Sequence, residues 1–159
     1  MCVHAEVVTD DDRFLARALE LACTNVCAGG RPYGAVVVRA GQIVAEGVNE
    51  LHLRPDPSAH AEMLALRSAG AALGRAKLDD CTVYASGQPC PMCLAALHLA
   101  SVRRVMFAYS NGDGEPYGFT TAPLYRQMAL PLAEQQLEIV QGEPSLWPEN
   151  PFALASRRC

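Results

Sequence analysis

The chain has 159 residues, 50% hydrophobic and 19% charged, which is ordinary usage for a single globular domain with a sizeable core. Thirteen Lys and Arg against 17 Asp and Glu give a net charge of −4 and a pI near 5.5, so the basic footprint of a nucleic-acid binder is missing and no nucleic-acid partner is expected. The first residues lack the basic and apolar regions of a signal peptide, no apolar run approaches membrane-spanning length, and an odd number of cysteines fits a reducing compartment, so a cytoplasmic protein without a membrane partner is expected.

In chain order, Asp10-Asp11-Asp12 is an acidic helix start, and Leu15, Leu19, Ala22 and Val26, with Phe14, Ala18 and Leu21 beside them, form an apolar helical face that ends at Gly29-Gly30. Ala35-Val36-Val37-Val38 and Ile43-Val44-Ala45 flank Ala40-Gly41 and predict a hairpin. A second helix begins near Ser58, carries Met63, Leu64 and Leu66 to about Ala72, and meets a stop signal at Gly74. Thr82 to Ala85 is the third strand, Cys90 to Ala100 the third helix and Val102 to Phe107 the fourth strand. Asn111 to Pro116 is expected to be a loop, Leu124 to Met128 a short helix, and Leu137 to Val140 a fifth strand. Strands alternating with helices predict an α/β fold with a mixed sheet and helices on both faces. The chain is read as one domain over 1–159, its core about 10–141 and a tail at 142–159 holding Trp147 and Phe152.

Two short stretches carry the chemistry, His60-Ala61-Glu62 and Pro89-Cys90-Pro91-Met92-Cys93. Zn2+ takes imidazole nitrogen and thiolate in tetrahedral sites, and a catalytic site keeps three protein ligands and one open position. His60, Cys90 and Cys93 make three. If Pro89 opens a helix, the cysteines share its first turn, where the helix N-terminus favours thiolate. A dication with two thiolates and a neutral imidazole is a neutral centre, so a general base is needed, and Glu62 can supply it. Taken alone, Cys-x-x-Cys also fits a redox pair or half of a structural zinc site; the two stretches together match the H-x-E…P-C-x-x-C zinc deaminase signature. Cys2, Cys23, Cys27, Cys81 and Cys159 are read as structural.

With Gly34-Ala35-Val36-Val37-Val38 and Gly47-Val48-Asn49 added to these motifs, the chain resembles the cytidine/deoxycytidylate deaminase superfamily from about Phe14 to Val140, and within it the branch of bacterial guanine deaminases and tRNA adenosine deaminases. The resemblance implies a three-layer α/β/α fold with a mixed five-stranded sheet. It also implies hydrolytic deamination of an amino-substituted heterocycle: zinc-bound water attacks the amine-bearing carbon, Glu62 shuttles protons, and ammonia leaves. By the same resemblance Asn49 contacts the base, the Ala61 backbone N–H helps to hold the bound oxygen, and the functional unit is a homodimer, with the C-terminal segment able to cross over the partner's site.

Guanine is the leading substrate. Arg31-Pro32-Tyr33-Gly34 resembles the Gly-Pro-Phe-Gly of guanine deaminases, which places Tyr33 and Gly34 beside the substrate, and Gly118-Phe119 followed by Tyr125 resembles their later segment. Thr120-Thr121 stand where those enzymes carry acidic residues, so Thr121 is the expected contact there. Gln88 stands in place of the usual Glu. A hydroxyl cannot replace a carboxylate that accepts protons from guanine, so other small heterocycles (cytosine, isocytosine, an aminotriazine, another aminopurine) and nucleosides stay open as substrates. A tRNA adenosine deaminase and a non-catalytic zinc-stabilised module are the remaining alternatives; retention of Glu62 speaks against the second.

Overall fold

The structure is a computed structural model that describes residues 9–143 and 149–157. Trp147, Cys2 and Cys159 lie outside those residues. The chain divides into two compact units, one up to Arg126 and one from Gln127 onward.

The first unit opens with α1 (Asp10–Cys27), which Thr9 starts with a reciprocal cap: Thr9 N–H donates to Asp12 Oδ2 at 2.8 Å and Asp12 N–H to Thr9 Oγ1 at 3.2 Å. Its buried residues are Phe14, Ala18, Ala22 and Asn25. Val26, expected on the apolar face, is 48% exposed, and the polar Asn25 takes the inward position because its amide has backbone partners to satisfy. Cys23 and Cys27 are exposed.

Strands β1 (Gly34–Arg39), β2 (Gln42–Val48), β3 (Cys81–Gly87) and β4 (Arg104–Tyr109) form one sheet in the order β2-β1-β3-β4. β1 is antiparallel to β2 and β3, and β3 is parallel to β4. The hairpin turns at Ala40 (φ 48°) and Gly41 (φ 74°), two left-handed residues in the manner of a type I′ turn, whose twist matches that of the flanking strands. Side chains alternate across the sheet. Val36 and Val38 face α1 with Phe14, Ala18 and Tyr84; Ala35 and Val37 face the opposite cluster with Ala61, Ala65, Leu66, Val83 and Leu97. That cluster belongs to α2 (Ala61–Leu73) and α3 (Pro91–Leu99), which gives the three layers. Each fully buried valine contributes about 1.5–3 kcal/mol of transfer free energy, so both faces of β1 hold the layers together.

Two glycines fix how closely the helices sit. A Cβ on Gly34 would meet Ala18 O at 2.4 Å, and one on Gly47 would meet Ala61 O at 2.3 Å. The backbone of α1 thus lies directly on β1, and the first turn of α2 directly on β2.

Three expectations are corrected. Among the described residues the sheet has four strands, not five: residues 137–140 form no strand, Leu137 and Val140 are exposed, and a segment without a neighbouring strand has no ladder to satisfy its amides. Residues 111–117 are not a loop. Ser110 caps a single helical turn, α4 (Asn111–Gly114), by accepting from Asp113 N–H while the Asp113 side chain returns the bond, and a 3-10 turn (Glu115–Tyr117) follows. The third helix is opened by Pro91 rather than Pro89, with Cys90 as its cap. Helix α5 (Ala122–Met128) follows; the second unit then holds a 3-10 turn at Leu132–Glu134 and α6 (Pro151–Ser156). Among the described residues no helix is long and apolar enough to cross a membrane.

Candidate active site

The two chemical motifs meet because each is a helix cap. His60 is the cap of α2, Cys90 is the cap of α3, and Cys93 is the third residue of α3. Cys90 Sγ accepts from the Cys93 N–H at 3.5 Å. The positive ends of both helix dipoles therefore face one point, a setting that favours anionic sulfur.

The three donor atoms form a nearly equilateral triangle. Cys90 Sγ lies 3.5 Å from His60 Nδ1 and 3.5 Å from Cys93 Sγ, and Cys93 Sγ lies 3.6 Å from His60 Nδ1. A tetrahedral zinc ion with bonds of about 2.3 Å to sulfur and about 2.0 Å to nitrogen separates its ligands by roughly 3.5–3.8 Å. The triangle fits zinc, and Cys90 and Cys93 are buried.

Glu62 stands beside the triangle, its Oε2 3.5 Å from Cys93 Sγ, and is 5% exposed. Burial pushes its carboxyl up from the ordinary range, and the nearby Cys90 adds to this, against a bond from its own backbone N–H. The cysteines titrate as a pair. A shared proton from Cys93, helped by His60, holds Cys90 down to about 4, while donating that proton pushes Cys93 up. The hydrogen bond to Cys90 raises His60 despite burial. Metal-free, the pair gives up one proton readily and keeps the other, which a dication would displace.

These groups floor a cavity of ≈ 80 Å³. Larger surface grooves exist, but the one of ≈ 640 Å³ between α2 and α3 is lined by residues such as Met63, Leu66 and Leu99 and has no His, Cys or carboxylate; chemistry, not size, picks out the site. Asn49, 1% exposed, accepts from Leu51 N–H through Oδ1 at 3.2 Å, which leaves Nδ2 as a donor toward the cavity. Tyr33 and Phe119 form one wall, their rings 6.3 Å apart and edge to face. Gln88 Oε1 accepts from Asn111 N–H at 3.1 Å, and Asn111 Oδ1 accepts from both the N–H (2.8 Å) and the hydroxyl (3.0 Å) of Thr121, so one relay fixes the wall that holds Thr120 and Thr121. Arg31 lines the cavity as well.

Of the residues expected at a site, His60, Glu62, Cys90, Asn49, Tyr33 and Thr121 line the cavity, and Cys93 sits behind them in the triangle. Gly34 and Ala61 are not among the lining residues: Gly34 packs on α1 and donates its N–H to Ser86 Oγ at 3.0 Å, and the Ala61 methyl is buried, while its backbone N–H, the group expected to act, stands in the first turn of α2 between His60 and Glu62. Sequence reasoning missed Asn111 and Asn25. Asn25 Nδ2 donates to the carbonyls of Arg31 (2.8 Å) and Asn49 (2.9 Å), tying together two segments of the cavity rim. An Asn in an otherwise apolar helical stripe was the only available signal.

The model for the cytidine and deoxycytidylate deaminase zinc-binding region matches residues 8–109. The chain belongs to the cytidine and deoxycytidylate deaminase family. Within that family it is 43% identical over 131 residues to guanine deaminase from Bacillus subtilis strain 168, covering 82% of this chain and 84% of that protein. The crystal structure of guanine deaminase from Bacillus subtilis superposes with a TM-score of 0.83 at 39% identity, covering 92% of each chain. Another deaminase-family relative, the tRNA-specific adenosine deaminase of Bacillus subtilis strain 168, is 33% identical over 85% of this chain and 81% of its own. A structure solved in complex with 2,6-diaminopurine superposes with a TM-score of 0.67 at 31% identity, over 72% of this chain and 64% of that one.

Proposed function

We propose that this deaminase hydrolyses guanine at C2 to give xanthine and ammonia. The observation that carries the proposal is the Glu62 carboxylate beside the His60, Cys90 and Cys93 triangle at the floor of the cavity, in a chain 43% identical to a guanine deaminase over most of its length. Zinc held by those three residues supplies a Lewis acid that makes water nucleophilic at neutral pH. Glu62 takes a proton from the water and passes it to N3, the bare ring nitrogen next to C2; the second water proton goes to the amine. A C–O bond forms at C2, the C–N bond breaks, and the water oxygen becomes O2 of xanthine. A buried carboxyl with a raised pKa is suited to both directions of that transfer. Asn49 offers Nδ2 to an acceptor on the ring, and Tyr33 and Phe119 shield its face from water.

The proposal includes the homodimer implied by the resemblance, with the C-terminal segment over the partner's site. Two free thiols at the centre need a reducing compartment, which is why we place the reaction in the cytoplasm. The test is ammonia release by zinc-loaded protein from guanine, other aminopurines, cytosine, isocytosine, aminotriazines, nucleosides and a tRNA anticodon stem, with Glu62→Ala as the blank and light scattering for the assembly. Guanine is expected to exceed every other substrate by at least an order of magnitude, on a dimer. Preference for another ring or for RNA overturns the substrate, and a fully active monomer overturns the assembly.

A further inference from the structure

Arg31 lines the cavity, and the chemistry above gives it no part. It is exposed, it lines the rim, and apart from His60 it is the only lining residue able to carry positive charge. Among the described arginines, Arg13, Arg17, Arg39, Arg54, Arg75, Arg104 and Arg157 have carboxylate partners, whereas Arg67, Arg103 and Arg126 do not. Among the described residues Arg31 has none. Its backbone, by contrast, is fixed. The Arg31 carbonyl accepts from Tyr33 N–H at 2.8 Å and from Asn25 Nδ2 at 2.8 Å, and Pro32 restricts the peptide that follows. The stem is held at the rim while the guanidinium fork stays available.

This inference rests on the guanine reading. In a purine, C2 and C5 are opposite corners of the six-membered ring, so with C2 at the Glu62 floor the O6 and N7 acceptors point toward the rim. A planar guanidinium matches that pair of acceptors with two parallel N–H donors, the geometry by which arginine reads the same edge of guanine in a DNA groove. We propose that Arg31 is a specificity-determining residue that holds the O6/N7 edge of the substrate, so that the site selects purines with acceptors at both positions. A carboxylate at Thr120 or Thr121 is then not needed to orient the ring, because the edge farthest from the reacting carbon carries the orientation. Neither threonine offers a competing charge to Arg31, whereas an acid there would pair with it.

The test measures binding of guanine and of 7-deazaguanine, which replaces the N7 acceptor by C–H, to the zinc-loaded protein by titration calorimetry. Both rings are titrated on the Glu62→Gln background so that ring reactivity does not enter, with Arg31 intact or changed to Ala or Lys. Arg31→Ala is expected to weaken guanine binding about 5- to 100-fold and 7-deazaguanine binding much less. Arg31→Lys, a charge without the fork, is expected to fall between. Equal losses for the two rings, or no loss for either, would overturn the proposal. Zinc content and melting temperature establish that each variant is folded; if the alanine variant is not, the lysine variant decides by the same ratio. Absence of guanine turnover by the wild-type protein would instead strike the proposed function, and that result is separate from the ratio.

Discussion

The two sides of the cavity are built in different ways. The chemical side, His60, Glu62, Cys90 and Cys93, stands on the first turns of two helices that pack against the sheet, and three of its four residues are buried. The recognition side, Arg31, Tyr33 and Phe119 to Thr121, stands on connecting segments held by side-chain relays through Asn25, Asn111 and Gln88. Helix caps fix geometry through short sequence spacing, whereas relays fix it through partners far away in the chain. The chemical side is therefore rigid and local, and the other side is held from a distance through Asn25, Asn111 and Gln88.

Breaking the chemical side should give the largest effect. Cys93→Ser removes one thiolate from the triangle and leaves a weak ligand for zinc; loss of stoichiometric zinc by metal analysis is expected, with turnover down by at least about three orders of magnitude. Retention of full zinc and activity would show that Cys93 is not part of the centre.

The recognition side should yield by degrees. Asn25→Leu keeps the branched shape of the amide but leaves the Asn49 carbonyl without its donor and the Arg31 carbonyl with the Tyr33 N–H alone, at a cost of about 1–3 kcal/mol in stability. Well below its melting temperature this variant is expected to retain zinc, to raise KM for guanine several-fold with a smaller change in kcat, and to speed amide exchange of Tyr33 and Asn49. Unchanged exchange would separate Asn25 from the rim.

The contrast also explains what could be read from the sequence. Cys90 and Cys93 are three residues apart, so one helical turn puts them on one face, and Glu62 follows the cap residue His60 by only two residues, so chain connectivity keeps those two close whatever the rest of the fold does. The three layers were legible for a similar reason: the β1 run Ala35 to Val38 is apolar at every position, which only a strand covered on both faces requires. The relays were not legible. Asn111 reaches Gln88 across 23 residues and Asn25 reaches Asn49 across 24, distances over which no local pattern operates. The expected fifth strand failed in the opposite sense. Residues 137–140 have strand-forming side chains, but a strand is defined by a neighbour, and propensity does not supply one.

A last and smaller test lies away from the cavity and serves as its control. Asp80 accepts from Arg39 Nε at 2.7 Å and also pairs with Arg75; the Arg75 bond foremost, then Arg39, holds its carboxyl down to about 2 against an ordinary value near 3.9. A depressed carboxylate stabilises the fold above the unfolded value, and that contribution is lost as pH falls from about 4 through about 2. Asp80→Asn should therefore lower the denaturant midpoint slightly at neutral pH, converge with the wild type near pH 2, and leave the affinity for guanine unchanged at neutral pH. A gap between the two midpoints that is the same at pH 7 and pH 2 would remove the ion pairs from the account.

Gly47 gives the comparison an unexpected member. It has no side chain and lies outside the cavity, yet the Ala61 carbonyl occupies the place where its Cβ would be. The residue after Ala61 is Glu62, so any side chain at Gly47 acts as a wedge under the turn that carries Glu62. In a saturation library screened for activity, this silent strand position would score among the catalytic residues, and a contact map of the substrate would never explain why.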